Sequence, residues 1–224
     1  MEKLLKIFDD KRYHRLAINN KKVYAKNKPY PHIYFDNFLP KRLALSLSNE
    51  YPKIDKIDKN WKVHNNKNVL RYLLEDSSLF KKNLKVFSML VNSRKFLLFL
   101  ETLTGVESII PDPYFVGGGA MTTSSGGFLN VHADFNYHHK LQSWRRLNVL
   151  FYLTPNWKKN WGGKLELWSK NKKKKIKEID PIFNRAVIFN TTSESFHGQP
   201  FPIICPKNVY RNVFSAFYYS NIKD

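Results

Sequence analysis

The run Gly126-Gly127-Phe128-Leu129-Asn130-Val131-His132-Ala133-Asp134 decides how the rest of the chain is read. Phe128 to His132 has the composition of a strand, and in a strand side chains two apart share a face. His132 and Asp134 can therefore grip one ion from one strand. Two imidazoles and one carboxylate form the ligand set that holds non-haem Fe(II) while leaving coordination positions open. The second imidazole must come from elsewhere, and His197 in Ser195-Phe196-His197-Gly198-Gln199-Pro200 is the candidate, carried on another strand brought alongside. Arg211 follows it. Its fixed guanidinium fork suits a second carboxylate, that of a co-substrate.

Working outward, the sequence past Ile109 breaks into short apolar or alternating runs separated by Gly, Pro and Asn. Strands are expected at Tyr114–Val116, Phe128–His132, Leu147–Leu153, Lys164–Trp168, Ala186–Phe189 and Val213–Tyr219, which together indicate an antiparallel sandwich or barrel. Gly117-Gly118-Gly119 and Gly126-Gly127 suit tight turns or close backbone approach, and no P-loop Lys-Ser/Thr follows them. Upstream, Pro31 to Pro40 reads as a strand ending in a turn, with Pro40 opening a helix near Lys41 to Tyr51. Asp55 to Asn68 is polar and reads as loop. Leu79 to Leu103 carries apolar residues at helical intervals, giving one or two amphipathic helices that Gly105 ends. The expectation is a mainly β (α+β) chain forming one domain over residues 1–224. Residues 1–108 supply an N-terminal strand and supporting helices, and residues 109–224 supply the β core.

The chain has 224 residues, long enough for a sizeable core, and 42% apolar residues place it among globular proteins. No apolar stretch is long enough to span a bilayer. The single cysteine, Cys205, rules out an intrachain disulfide, which fits a reducing compartment and a cytoplasmic location. The net charge of +20 invites a nucleic-acid or anionic-membrane reading. Much of it is Lys scattered among Asn, Ile and Phe, and the densest run, Lys170 to Lys175, reads as a solvated loop. The charge would still favour anionic substrates or partners through long-range attraction. His138 and His139 fall in a polar loop. His14, His32 and His64 read as structural or exposed. Arg145 and Arg146 are adjacent, so alternation turns only one of them inward.

Six stretches occur in a fixed order: residues 126–136, 145–154 (Arg-Arg-Leu-Asn-Val-Leu-Phe-Tyr-Leu-Thr), 161–168 (Trp-Gly-Gly-Lys-Leu-Glu-Leu-Trp), 184–189, 195–200 and 211–220 (Arg-Asn-Val-Phe-Ser-Ala-Phe-Tyr-Tyr-Ser). In these the sequence resembles the 2-oxoglutarate and Fe(II)-dependent dioxygenases of the prolyl 4-hydroxylase-like superfamily. The resemblance is close over residues 110–220 and looser over Pro31–Pro40. It implies a double-stranded β-helix, a cupin-like jelly roll with flanking N-terminal helices and an iron in its narrow mouth. His132, Asp134 and His197 match the metal ligands and catalytic centre. Arg211 matches the residue that pairs with the distal carboxylate of 2-oxoglutarate, and Tyr152 a tyrosine that contacts it. Alternation puts Asn148 on the face of Tyr152, and Ser215 on the face of Arg211, so both join the co-substrate pocket.

The resemblance further implies Fe(II), 2-oxoglutarate and O2, with ascorbate as an auxiliary reductant. The first expectation for substrate is a prolyl residue in a peptide or protein, hydroxylated as 2-oxoglutarate is decarboxylated to succinate. Alternatives are a free amino acid, a glycan or a lipid-linked substrate. A different class is a non-catalytic jelly-roll module that binds an anionic polymer. Nucleic-acid demethylases of the superfamily usually carry a second Arg six positions past the anchor. Phe217 stands there, which disfavours a nucleic-acid substrate. Two departures stand out. His197 and Arg211 are 14 residues apart (211 − 197), with Pro200, Pro202 and Pro206 shaping the loop between them. Gly119-Ala120-Met121-Thr122 replaces bulkier, more polar residues where substrate often borders the site. Sequence leaves oligomeric state open.

Overall fold

The computed structural model describes residues 6–54 and 59–222. In chain order come α1 (Lys11–Lys26), β1 (His32–Phe35), α2 (Lys41–Asn49), the hairpin β2 (Lys62–Asn66) and β3 (Val69–Leu74), α3 (Lys82–Val91) and α4 (Arg94–Thr104). Short strands then dominate: β4 (Ile110–Pro111), β5 (Gly119–Thr123), β6 (Phe128–His132), β7 (Tyr137–His138) and β8 (Ser143–Tyr152). The series closes with β9 (Leu165–Trp168), β10 (Lys175–Ile179), β11 (Ala186–Asn190), β12 (His197–Gln199) and β13 (Arg211–Ser220).

Local chemistry sets the helix ends. The Asp10 carboxylate accepts from the Arg12 N–H at 2.8 Å and caps α1. Glu50, just past α2, accepts from the Asn83 N–H at 2.7 Å, placing a carboxylate on the positive end of α3. Gly105 takes φ +75° and stops α4 where the sequence placed the stop. Tyr13 of α1 donates to the Phe38 carbonyl at 2.9 Å, and burial pushes its hydroxyl up to about 12.

The strands join in the order β1-β11-β8-β13-β5-β3-β6-β12-β9-β10, with every pairing antiparallel. Alternation along β8 sorts its side chains between two cores. Leu147, Val149 and Phe151 point to a large aromatic core shared with α1, α3 and α4, while Leu150 and Tyr152 point to a smaller inner cluster. β13 does the same, with Phe214, Ala216 and Tyr218 outward and Val213 inward. The helices thus cover one face of the sheet and leave the inner face to the smaller apolar cluster and the polar residues beside it. Phe96 and Phe87 wedge against Phe151 at ring separations of 6.1 Å and 5.1 Å and fix the helices on the sheet.

Several sequence expectations need correction. Tyr114–Val116 is not a strand. The Asp112 carboxylate accepts the Tyr114 and Val116 N–H groups, each at 2.8 Å, and Phe115 takes φ +50°, so the segment is a turn. Asp55–Asn68 is not wholly loop, since Lys62–Asn66 pairs with β3; residues 55–58 lie outside the described residues. Gly119 opens a central strand. A Cβ there would lie 2.6 Å from the Leu74 carbonyl oxygen, so close approach of β3 and β5 requires glycine. The expected loop across the lysine run gives way to β10 at Lys175. The loop after β12 protrudes as its prolines suggested, leaving Phe201 and Ile204 about 70% exposed (68% and 70%).

Candidate active site

The pairing of β6 with β12 sets His197 directly opposite His132. A register shift follows within β12, and a Cβ on Gly198 would fall 2.9 Å from the Leu129 carbonyl oxygen. Only glycine lets the strands close at this point, and the closure brings the two imidazoles to a ring separation of 4.6 Å. Each ring is oriented from behind. His132 Nδ1 lies 2.8 Å from the Asn130 carbonyl oxygen, and His197 Nδ1 lies 2.9 Å from that of Ser195. Donation from both Nδ1–H groups leaves both Nε2 lone pairs facing inward.

Asp134 completes the group. Its Oδ1 lies 3.4 Å from His132 Nε2 and its Oδ2 lies 3.3 Å from His197 Nε2. The three ligand atoms fall within 4.8 Å of one another, and this set could hold one metal ion. Asn148 on β8 donates to Asp134 Oδ2 at 2.7 Å and accepts from Arg145 Nε at 2.9 Å. Arg145 also approaches Asp134 directly at 3.2 Å and is clamped between Phe217 and Phe135. Burial opposes ionisation of Asp134, but the Arg145 guanidinium beside it favours the ionised form and the carboxyl is held well below the usual range.

A cavity of about 330 Å³ leads from these residues to Arg211. Asn148, Ser215 and Arg211 line it, as the alternation of β8 and β13 required. Tyr152 lies just behind its wall, with the Arg211 guanidinium 5.6 Å from its ring. Burial raises the Tyr152 hydroxyl, and Arg211 partly offsets this. Arg211 reaches Thr123 Oγ1 at 3.4 Å, yet its Nε has no hydrogen-bond partner. The Tyr152 and Ser215 hydroxyls have none either. Buried polar groups are normally satisfied, so an unmet guanidinium Nε and two unmet hydroxyls, those of Tyr152 and Ser215, fit a missing carboxylate.

The expected residues therefore converge. His138 and His139 do not join them: His138 is buried against Asp112 at 3.5 Å and serves packing. Of the adjacent arginines, Arg145 turns inward and Arg146 reaches Ser220 at 3.0 Å. Sequence reasoning assigned no role to Arg145 and overlooked Arg71. It also took His64 for structural or exposed, whereas both Arg71 and His64 line the cavity. A lone arginine within the apolar run Val69-Leu70-Arg71-Tyr72-Leu73-Leu74 was the available signal.

Residues 119–219, which contain His132, Asp134, Arg145, Asn148, Tyr152, His197, Arg211 and Ser215, match the family model of the 2OG-Fe(II) oxygenase superfamily. The likeness to that superfamily thus spans the strands that carry the site. Among solved structures this chain is similar to a Trichoplax adhaerens prolyl hydroxylase seen with a hypoxia inducible factor oxygen degradation domain peptide fragment. The two share 19% identity at a TM-score of 0.56, over 95% of this chain and 93% of that one. It is similar to a Pseudomonas putida prolyl-4-hydroxylase at 14% identity and a TM-score of 0.59, over 97% and 98% of the chains. It is also similar to HygX from Streptomyces hygroscopicus, seen with nickel, 2-oxoglutarate and hygromycin B, at 10% identity and a TM-score of 0.58, over 91% and 87%. A search of curated proteins returns no significant match. The fold is the expected double-stranded β-helix, and the oxygenase is an enzyme of the dioxygenase class. Among the described residues, no helix is long and apolar enough to cross a membrane.

Proposed function

We propose that this oxygenase hydroxylates prolyl residues of a peptide or protein, coupled to decarboxylation of 2-oxoglutarate to succinate. One observation carries the reading. The ligand atoms of His132, Asp134 and His197 cluster within 4.8 Å on the wall of the same cavity that ends at Arg211. The two Nε2 atoms and one Asp134 oxygen would hold Fe(II). Arg211 and Tyr152 would take the far carboxylate of 2-oxoglutarate, with Ser215 adding a hydroxyl beside them. When bound, the iron with 2-oxoglutarate and O2 supplies the oxidising chemistry, and ascorbate serves as auxiliary reductant.

The residues do the rest. One carboxylate with two neutral imidazoles only partly neutralises a dication, so the centre retains attraction for an anionic co-substrate. Asn148 and Arg145 fix the direction of the Asp134 oxygens and keep the carboxyl ionised. Leu150, Leu165, Phe189 and Val213 give the cavity apolar walls that exclude water, which strengthens the pairing of Arg211 with a carboxylate. The prolyl assignment is supported by the fold shared with the Trichoplax and Pseudomonas enzymes.

A succinate-release screen across prolyl peptides, free amino acids and glycans tests the proposal. Succinate with a hydroxylated peptide is expected from the native chain, and none from His132→Ala. Normal succinate production by that variant would refute the metal assignment. A product from a glycan alone would replace the substrate.

A further inference from the structure

The chemistry above leaves Arg71 without a task. It is the charged residue of an otherwise apolar strand, β3, and its side chain lines the cavity. Its Nε is buried without a hydrogen-bond partner, and Nη1 has only the Met121 sulfur, a weak acceptor, at 3.7 Å. None of the ion pairs among the described residues includes it. Burial draws its pKa down to about 10 and Asp134 pulls it back up, so the guanidinium is charged at neutral pH. Asp134 is not available as a partner, because Asn148, Arg145 and the two histidines already surround it. Arg71 is half-buried, and a guanidinium whose Nε is buried without an acceptor is costly unless a ligand completes it.

Charge balance extends the argument. Arg71, Arg145 and Arg211 face the cavity, and Asp134 is the only carboxylate among its lining residues, an excess of two positive charges. An Fe(II) dication and a 2-oxoglutarate dianion cancel, so the excess persists with both bound. Position then separates Arg71 from the co-substrate anchor. Tyr72 pairs with Thr122 on β5, while Leu70 pairs with Phe128 on β6. Arg71 therefore sits where β3 passes from the strand beside Arg211 to the strand that carries His132. His64, which also lines the cavity, pairs opposite it on the exposed strand β2.

We propose that Arg71 binds an oxyanion group of the substrate, a carboxylate or a phosphate, so that the molecule oxidised enters the cavity as an anion. The proposal rests on the reading that Arg211 holds 2-oxoglutarate. The test uses the full chain, labelled with 15N-arginine and saturated with Zn(II), a diamagnetic stand-in for iron, and with 2-oxoglutarate. Acetate, methyl phosphate and neutral acetamide are titrated separately while the Arg71 Nε–Hε resonance is followed, assigned by its loss in Arg71→Gln. The expected result is a saturable shift with acetate or methyl phosphate, about tenfold or more tighter than any with acetamide. The tighter of the two anions identifies the group. Arg71→Gln should leave 2-oxoglutarate affinity within about twofold, as for independent sites. Arg71→Lys, which keeps the charge and loses the fork, should bind the same anion more weakly. No saturable shift with either anion would overturn the proposal. So would about tenfold weaker 2-oxoglutarate binding by Arg71→Gln, which would make Arg71 part of the co-substrate anchor. Failure of the unaltered protein to bind 2-oxoglutarate would instead sink the functional reading beneath it.

Discussion

Replacing Asn148 by Leu should loosen the metal without unfolding the protein. Leucine is close to asparagine in volume and carries no polar atoms. The substitution deletes the 2.7 Å bond to Asp134 Oδ2 and the 2.9 Å bond from Arg145 Nε. Each bond joins a charged partner, and such bonds contribute about 1.5–3 kcal/mol. Arg145 still approaches Asp134 at 3.2 Å, so the carboxylate keeps one of its two restraints. Losing a group that orients a ligand costs about 10–100-fold in metal affinity, or about 1.4–2.7 kcal/mol, which matches one such bond. The assay is an anaerobic Fe(II) titration against a competing chelator, with a thermal melt of the metal-free protein as the folding control. A folded Asn148→Leu protein whose Fe(II) affinity stays within about twofold of native would refute the idea that Asn148 sets the direction of Asp134.

Other substitutions probe other parts of the account. Gly163 has φ +76°, and a Cβ there would lie 2.9 Å from Arg211 Cδ and 3.3 Å from Trp157. Gly163→Ala should weaken 2-oxoglutarate binding through displaced Arg211 while leaving Fe(II) affinity alone; calorimetric titration of each ligand separates the two. Phe96 is fully buried among Phe8, Phe38, Phe99, Phe151 and Tyr218. Phe96→Ala should lower unfolding free energy by about 3–5 kcal/mol in urea titration, and a smaller loss would mean that the helices are not anchored there. Hydrogen bonds from Lys164 and Lys175 lower the Glu178 carboxyl to about 2. Its folded pKa lies below its unfolded one, so its contribution is present above the usual value of 4.5 and lost as pH falls through about 2. The group is partly exposed, so the effect is small and salt-sensitive. Melting temperatures of native and Glu178→Gln protein at low salt should converge over that range.

The site was more legible than the sheet that builds it. Asn148 and Tyr152 could be placed because period-two alternation holds wherever a strand has one face in the large core and the other turned inward, as β8 and β13 do. Asp134, by contrast, lies two residues past the end of β6 and reaches the site from outside the strand. β2 escaped because it is an exposed edge. Lys62-Val63-His64-Asn65-Asn66 packs little, so no apolar face marks it. β5 escaped because Gly119 is there for close approach of the Leu74 carbonyl, a requirement that depends on a partner strand distant in sequence. α1 escaped since its buried stripe is only Tyr13, Ala17 and Tyr24 within a basic helix. Tyr114–Val116 misled in the other direction: Asp112 captures its backbone donors locally, and strand-like composition yields to a turn. Arg71 shows the cost of such gaps, because a strand left unrecognised hides the direction of its side chains.

The central claim, one ferrous ion gripped by His132, Asp134 and His197 beside a pocket for 2-oxoglutarate, is tested most directly by spectroscopy without oxygen. Fe(II) and 2-oxoglutarate added together to the native chain should produce a weak visible metal-to-ligand charge-transfer band. Neither alone should produce it, nor should both added to His132→Ala. A native protein that shows no band at saturating concentrations of both, or a His132→Ala protein that shows it undiminished, would contradict the account.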